Sequence, residues 1–439
     1  MNTEHSSSPS SRSQTSITQV AVASFVGTAI EWYDFFLYGT AAALIFNKLF
    51  FPTFDPLSGT LASFGTYAVG FVARPLGGIV FGHYGDRVGR KAMLSLTLLL
   101  MGVATFCIGL LPTYATIGPW APVLLVILRM LQGFGVGGEW GGAVLMAVEH
   151  APAGKRGFYG SWPQVGVPAG LLLSTSVFSG VSTLPEDQLL SWGWRVPFLL
   201  SLLLVGVGLF IRLRITETPA FSQVQETGAV ARLPLFDALR SHPKNILLAM
   251  GARLAENGVF YIYSVFVLVY VTEQLKLPRS VALNGVLLAT VGELISIPAF
   301  GALSDRIGRR PVYMGGAAFS ALFAFPFFWL LDTQHPTFLW LAIVLGLAVG
   351  HGAMYGPQAS FFSELFGTRV RYSGVSLGYQ LASVFAGGFS PLIATSLLQW
   401  SHGKPWPVAV YMMVMALITL VSVYLTTETR QDDLIERSP

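Results

Sequence analysis

The chain has 439 residues, 53% of them hydrophobic and only 11% charged, with a mean hydropathy of +0.61. Soluble domains carry about 25% charged residues, so this composition excludes an ordinary soluble fold and indicates a polytopic membrane protein. The single cysteine, Cys107, excludes an intramolecular disulfide and offers no metal-binding pattern, and the net charge of +4 follows a topological pattern that makes a nucleic-acid partner unexpected.

The first residues, "MNTEHSSSPSSRSQTS", are polar and rich in serine. They lack the basic-then-apolar order of a cleaved signal, and the apolar run behind them is too long for one. Residues 1–17 are therefore expected to be a disordered cytoplasmic tail, followed by a retained first span. A membrane helix needs roughly 20 mostly apolar residues. Twelve segments qualify: 18–47, 57–82, 91–111, 119–147, 157–182, 193–213, 243–273, 280–303, 311–331, 337–362, 372–399 and 405–427. The longest polar interval, 214–242, separates a first bundle (18–213) from a second (243–427), and 428–439 form a second cytoplasmic tail. The expected fold class is an all-α membrane protein with twelve transmembrane helices in two six-helix bundles.

Lys and Arg set the orientation. With the N-terminus inside, the inner segments hold Arg12, Arg87, Arg90, Lys91, Lys155, Arg156, Arg212, Arg214, Arg232, Arg240, Lys244, Arg306, Arg309, Arg310, Arg369, Arg371, Arg430 and Arg437. The outer segments hold Lys48, Arg195, Lys276, Arg279 and Lys404. This imbalance places both termini in the cytoplasm. Three arginines remain inside spans: Arg74, Arg129 and Arg253.

The two halves repeat each other. "GHYGDRVGRK" (82–91) recurs as "GALSDRIGRR" (301–310), "EHAPAGKRG" (149–157) as "ELFGTRVRYSG" (364–374), and "TETP" (216–219) as "TETR" (427–430). Three anchors in one order at nearly one offset indicate duplicated six-helix units, with a site near the midplane between them. In the first motif Gly82, Gly85 and Gly89 permit a tight turn, Asp86 can cap a helix start, and Arg87 and Arg90 can pair with acids on neighbouring helix ends. Asp305, Arg306 and Arg309 mirror them. Beyond fixing topology, these residues are expected to latch one conformation.

Two copies of this loop on twelve spans resemble the major facilitator superfamily, as does "RMLQGFGVGGEWGGA" (129–143) in span four. More narrowly, "EWYDF" (31–35), "RPLGGIVFGHYGDRVGRK" (74–91), "YATIGPWAPVLL" (114–125), "QGFGVGGEWGGA" (132–143), "KRGFYGS" (155–161) and "WGWRVPFLLS" (192–201) resemble the metabolite:proton symporter family. That family includes carriers of shikimate, 2-oxoglutarate, citrate and proline/betaine. The resemblance runs through nearly all of the first half and is thinner in the second.

Within "GTAIEWYDFFLYG", Glu31 and Asp34 share one helix face. A charge near a bilayer centre costs on the order of 2.5–3.5 kcal/mol or more, so such residues face a cavity or a partner charge. Two buried acids fit a group that is charged in one state and neutral in another, which proton coupling needs; a permanent ion pair with a buried Arg is the alternative. The resemblance points to Asp34 as the essential acid. Arg129 lies roughly ten residues into span four, near 15 Å at about 1.5 Å per residue, at a depth comparable to Asp34. The expectation is that Arg129 holds Asp34 ionised until an anionic substrate draws it away and a proton binds.

In "GARLAENGVFYIYS" the pair Arg253 and Glu256 either neutralise each other or make Arg253 a second anion ligand, with Asn257 beside them. The shikimate carriers resemble this stretch, and "HGAMYGPQASFF" (351–362) resembles their span ten. His351, Tyr355 and Gln358 would then offer hydrogen bonds to hydroxyls, although a lone histidine in a helix can equally be a packing residue. Tyr38, Gln132, Gln164, Tyr261, Tyr263, Tyr379 and Gln380 are further polar candidates for substrate contact. Arg74 and Glu139 are expected to pair near the cytoplasmic ends of their spans, in gating or packing. Glu293 has no evident partner.

"GFGVG" lacks a preceding strand and a Gly-Lys-Ser/Thr ending, so it is no phosphate loop, and no Walker motif appears. The expected protein is not an enzyme and uses no cofactor. It is a proton-gradient-driven symporter of a small organic acid in the bacterial inner membrane, in contact with lipid and sufficient as a monomer. Shikimate-like hydroxylated monocarboxylates lead, then dicarboxylates such as 2-oxoglutarate. Zwitterionic osmolytes are the runner-up, although the segment after Glu428 is too short for an osmosensor's coiled coil, and a proton/drug antiporter follows.

Overall fold

A computed structural model describes residues 17–88, 90–137, 140, 144, 147–148, 151–152, 154–213, 243–365 and 378–430, and the side chains of all of these except 17–24, 82–88, 90–92, 94 and 211–213. Among them run twelve long helices. In the first half these are α1 (Ile17–Leu44), α2 (Pro56–Val88), α3 (Arg90–Leu110), α4 (Trp120–Val136), α5 (Arg156–Val181) and α6 (Arg195–Leu213). In the second they are α7 (Pro243–Gln274), α8 (Arg279–Ile307), α9 (Arg309–Asp332), α10 (Pro336–Leu365), α11 (Gly378–Trp400) and α12 (Trp406–Tyr424). Helix is forced here, because every backbone polar group must be satisfied within the segment when no water is present. Apolar side chains such as Leu203, Leu247, Ile295 and Leu322 project outward, as a lipid-facing surface requires. Trp120, Trp192, Trp329, Trp400 and Trp406 are exposed at the ends that the charge rule assigns to the outside, where an aromatic belt sits. At the same level Asp55 Oδ1 accepts the amides of Leu57 and Ser58 at the start of α2, and the Ser58 hydroxyl, together with these amides, holds its carboxyl below the usual carboxylate range.

The first half packs α1 on α5, α2 on α4 and α3 on α6; the second packs α7 and α9 on α12, and α8 and α9 on α10. The halves meet where α5 runs along α8 and α10, α2 along α11, and α1 against α7. Glycine permits the closest of these approaches: a Cβ on Gly157 would stand 2.4 Å from the Gly301 carbonyl oxygen, and one on Gly301 2.6 Å from that of Gly157.

The duplicated motif is more helical than a glycine-rich loop suggests. Helix α2 continues through "GHYGDRV" to Val88 and α3 restarts at Arg90. In the second copy α8 ends at Ile307, α9 starts at Arg309, and Gly308 makes the break at φ 110°. Asp305 accepts the backbone amides of Gly157 (2.8 Å) and Phe158 (2.9 Å) at the start of α5, so it crosses from one half to the other. Arg309 holds Asp305 at 2.7 Å and grips Glu364 through Nε and Nη2, both at 3.2 Å. Glu428 of "TETR" accepts from the amides of Arg309 and Arg310, capping α9. Arg306 is exposed. In the first copy Gly89, and the side chains at Asp86, Arg87 and Arg90 with the surroundings of Gly82, lie outside the described residues, as do the tail 1–16, the interval 214–242 and residues 431–439.

Candidate transport site

Helices α2 and α4 touch through glycines, and this contact places Arg129. A Cβ on Gly133 would lie 1.8 Å from the Gly70 carbonyl oxygen, and one on Gly70 2.5 Å from Arg129 Nε. The Arg129 guanidinium thereby lies over the rings of Phe35 (4.0 Å), Tyr38 (4.3 Å) and Tyr67 (4.6 Å), donates Nη1 to Gln132 Oε1 at 3.0 Å, and leaves Nη2 without a hydrogen-bond partner. A desolvated cation over a ring gains about 2 kcal/mol, while burying the charge costs several. Three rings and one strong hydrogen bond offset much of that cost, and the unpartnered N–H leaves room for an anion.

The expected Asp34–Arg129 ion pair is not formed. Gln132 Nε2 donates to the Thr105 hydroxyl at 2.6 Å, and that hydroxyl donates to the Met101 carbonyl at 2.9 Å. Equal depth put the two charges at one level, but the rotation of α1 and α4 interposes Gln132 and Thr105. Asp34 is buried, and its Oδ1 has no partner.

Arg74 also departs from expectation. It stacks on Phe35 (4.1 Å) and Phe71 (4.2 Å), with Nε and Nη2 unpartnered, so it joins the central layer rather than a cytoplasmic gate. The reason is reach: an Arg side chain bends several ångströms from its Cα toward aromatic faces. Its expected partner Glu139 lies outside the described residues. Glu31 and Arg74 line a small cavity with Trp32, Trp140, Tyr379 and Gln380.

The second half gathers Arg253, Glu256, Glu293 and His351 into one buried network. Arg253 Nη1 donates to Glu256 Oε2 (2.7 Å) and Gln358 Oε1 (3.1 Å), Nε donates to the Ser383 hydroxyl (3.1 Å), and the guanidinium lies 3.2 Å from the Tyr379 ring centroid. Gln358 Nε2 donates to Glu256 Oε2 at 2.8 Å and to the Tyr313 hydroxyl at 3.1 Å. His351 Nε2 is 3.4 Å from Glu256 Oε1, and its Nδ1 is paired with Glu293 Oε1. Glu293 therefore has a partner, and both ring nitrogens of His351 face carboxylates. His351 ends a π-helical turn, Leu345–His351, in α10, a distortion frequent at functional sites.

Between the halves lies an aromatic layer: Phe36 against Phe260, and Phe71 and Tyr67 against Tyr261. Asn257 Nδ2 and the hydroxyls of Tyr67 and Tyr379 are buried in it without hydrogen-bond partners. The Tyr38 hydroxyl is engaged by Thr66 at 2.6 Å, and Tyr355 stacks on His351. Two candidates serve the contact between halves: Gln164 donates to the Tyr355 carbonyl (2.6 Å) and Gln380 to that of Gly137 (3.0 Å). Tyr263 turns into the second bundle against Phe327 and Gly346, away from the other candidates, because a second π turn begins at Ile262 and rotates the helix there. Phe35, Tyr67, Phe71, Thr105, Tyr313 and Ser383 belong to the site but carry no sequence signal of it, being aromatic or hydroxyl residues in apolar runs; the clue to Glu293 was the cost of an acid in a span.

Comparison with known proteins agrees with this architecture. The signature of the Major Facilitator Superfamily matches residues 24–387. The chain is 46% identical over 416 residues to the shikimate transporter of Escherichia coli (strain K12), covering 94% of this chain and 95% of that protein. It is 43% identical to the inner membrane metabolite transport protein YhjE of the same strain, covering 95% of each. It is 37% identical to the proline/betaine transporter of Salmonella typhimurium (strain LT2), covering 96% of this chain and 86% of that protein. Among solved structures it superposes on the proton:xylose symporter XylE bound to 6-bromo-6-deoxy-D-glucose with a TM-score of 0.74, at 17% identity and over 95% of this chain and 97% of that one, a likeness of fold alone. Twelve helices in two duplicated bundles, with charged residues converging between them, belong to a transporter, and this chain is a member of the Major Facilitator Superfamily.

Proposed function

We propose that this protein imports a hydroxylated organic acid of the shikimate type together with protons, by alternating access around the layer between its halves. The observation that carries the reading is a set of buried, unpartnered donors at that layer: Arg74 Nε and Nη2, Arg129 Nη2, Asn257 Nδ2 and the Tyr67 and Tyr379 hydroxyls. Guanidinium groups bind carboxylates by paired, charge-assisted hydrogen bonds, and neutral donors suit hydroxyls. A relative named as a shikimate transporter, similar over nearly the whole chain, supports the same substrate class. Asp34 is the proton-binding acid of the first half in this reading, the proton gradient is the sole energy source, and no cofactor takes part. The Lys and Arg distribution supports both termini in the cytoplasm, the Escherichia coli relatives support the bacterial inner membrane, and a monomer suffices in this reading.

Osmolyte uptake is the second reading, favoured by the proline/betaine relative. A quaternary ammonium binds aromatic faces, and here Arg74 and Arg129 already cover Phe35, Phe71, Tyr38 and Tyr67. The test is thermal stabilisation of the purified protein by shikimate, quinate, protocatechuate, 2-oxoglutarate, citrate, proline and betaine, since ligands selective for the folded state raise apparent stability. A shift with shikimate or quinate that is larger at low pH is expected. Shifts with betaine or proline alone would move the protein to osmolyte uptake.

A further inference from the structure

Resting on that reading, we propose that Glu256, His351 and Glu293 form a proton site of the second half, holding one exchangeable proton that crosses the membrane with the substrate.

The hydrogen-bond contacts of His351 fix a count of protons. His351 presents one ring nitrogen to Glu256 and the other to Glu293, and all three residues are at least 98% buried. An ionised carboxylate only accepts hydrogen bonds, and a neutral imidazole has one donor and one acceptor nitrogen. A neutral ring between two ionised carboxylates would leave a lone pair facing a lone pair. The two contacts therefore need two protons: one is the neutral imidazole's own, and the other sits either on the ring or on a glutamate.

Charge gives the same answer. With the second proton, Arg253, Glu256, His351 and Glu293 sum to zero; without it they carry a buried net charge of −1, which costs several kcal/mol. Among the described residues the groups facing this cluster from neighbouring helices supply no further charge to replace the proton: Tyr313 from α9, Gln358 and Tyr355 from α10 and Tyr379 from α11 are neutral, and the cation bonded to it is Arg253 from α7. Glu293 Oε2 has no hydrogen-bond partner, so the cluster ends in an open acceptor on α8.

Glu256 couples the proton to an anion because it touches both Arg253 and His351. A substrate carboxylate reaching Arg253 competes with Glu256 for Nη1. The displaced glutamate then takes the proton from His351: an N–H bond breaks at Nε2, an O–H bond forms at Oε1, and the ring is recharged from water through Glu293. One anion and one proton enter together, and the network stays neutral.

The test uses the full-length protein in proteoliposomes with labelled shikimate. E293Q is expected to lose accumulation driven by a pH gradient while keeping counterflow at symmetrical pH. Accumulation by E293Q at the wild-type ratio would overturn the proton site. Wild-type protein that gives no shikimate counterflow would overturn the substrate reading and leave the proton site to a substrate-free measurement. There, purified protein is titrated from about pH 5.5 to about pH 10.5, a window extended above the ordinary histidine range because releasing this proton costs several kcal/mol, and the released protons are counted. Wild type is expected to release one more proton than the variant carrying both H351Q and E293Q; equal release overturns the proposal. Because this count does not need transport, it also decides the matter if E293Q in membranes proves unstable.

Discussion

Asp34 and Arg129 make no ion pair: Arg129 donates to Gln132 at 3.0 Å and Gln132 to Thr105 at 2.6 Å, while Asp34 Oδ1 has no hydrogen-bond partner. Asp34 can therefore gain or lose a proton without dissolving an ion pair, and Arg129 keeps an N–H for another anion. An acid held apart from Arg129 suits a proton carrier better than a structural bridge.

From this separation we predict that D34N folds normally, loses pH-driven accumulation of substrate and retains exchange across the membrane. Asn keeps the shape and removes the titration. Uptake and counterflow in the same proteoliposomes separate the two activities, and retained accumulation would remove Asp34 from the coupling mechanism.

Arg129 is held by geometry that lysine lacks. A single ammonium cannot lie over three rings and also bond Gln132 while presenting a further donor. R129K should weaken apparent substrate affinity at least about tenfold, equivalent to about 1.4 kcal/mol. Concentration dependence of uptake measures it; unchanged affinity would move the anion site toward Arg74 and Arg253.

The contact of α5 with α8, at the end that the charge rule assigns to the cytoplasm, leaves no space for a side chain at Gly157, where a Cβ would meet Gly301 O at 2.4 Å, Arg309 Nη1 at 2.5 Å and Ser304 Oγ at 2.6 Å. A backbone oxygen cannot yield as a flexible side chain can. G157L should hold the halves apart on that side, abolish transport and raise the labelling of cysteines placed along α5 by cytoplasmic reagents. Wild-type transport by G157L would show that this contact is not needed for closure.

At Gly308 the backbone takes φ 110°, and an added Cβ would lie 2.8 Å from Glu428 Oε2. Backbone strain of this kind costs about 1–3 kcal/mol, and the clash threatens the cap on α9. G308A should lower the melting temperature by a few degrees. G206A, where a Cβ meets nothing within 4 Å, is the control and should leave it unchanged or slightly raised.

Much of the architecture was legible from residue types alone. Lipid excludes unpaired backbone and isolated charge, so each span announces itself as an apolar run and each functional ionisable residue as an exception within one. Glu31, Asp34, Arg74, Arg129, Arg253, Glu256, Glu293 and His351 stand out for that reason. The two anchors of the repeat at Asp305 and Glu364 likewise marked residues that the structure joins through Arg309.

Pairing was another matter. Whether Arg129 meets Asp34 or Gln132, whether Glu293 finds His351, and whether Tyr263 faces the other half or Phe327 depends on helix rotation, on π turns that shift the register, and on glycine contacts that draw two particular helices together. One residue of rotation turns a side chain by about 100° on a helix of 3.6 residues per turn. Span-level periodicity does not resolve that angle when both faces of a helix are apolar. Composition and order thus determine which groups are buried, while only the packing of twelve helices decides which of them touch.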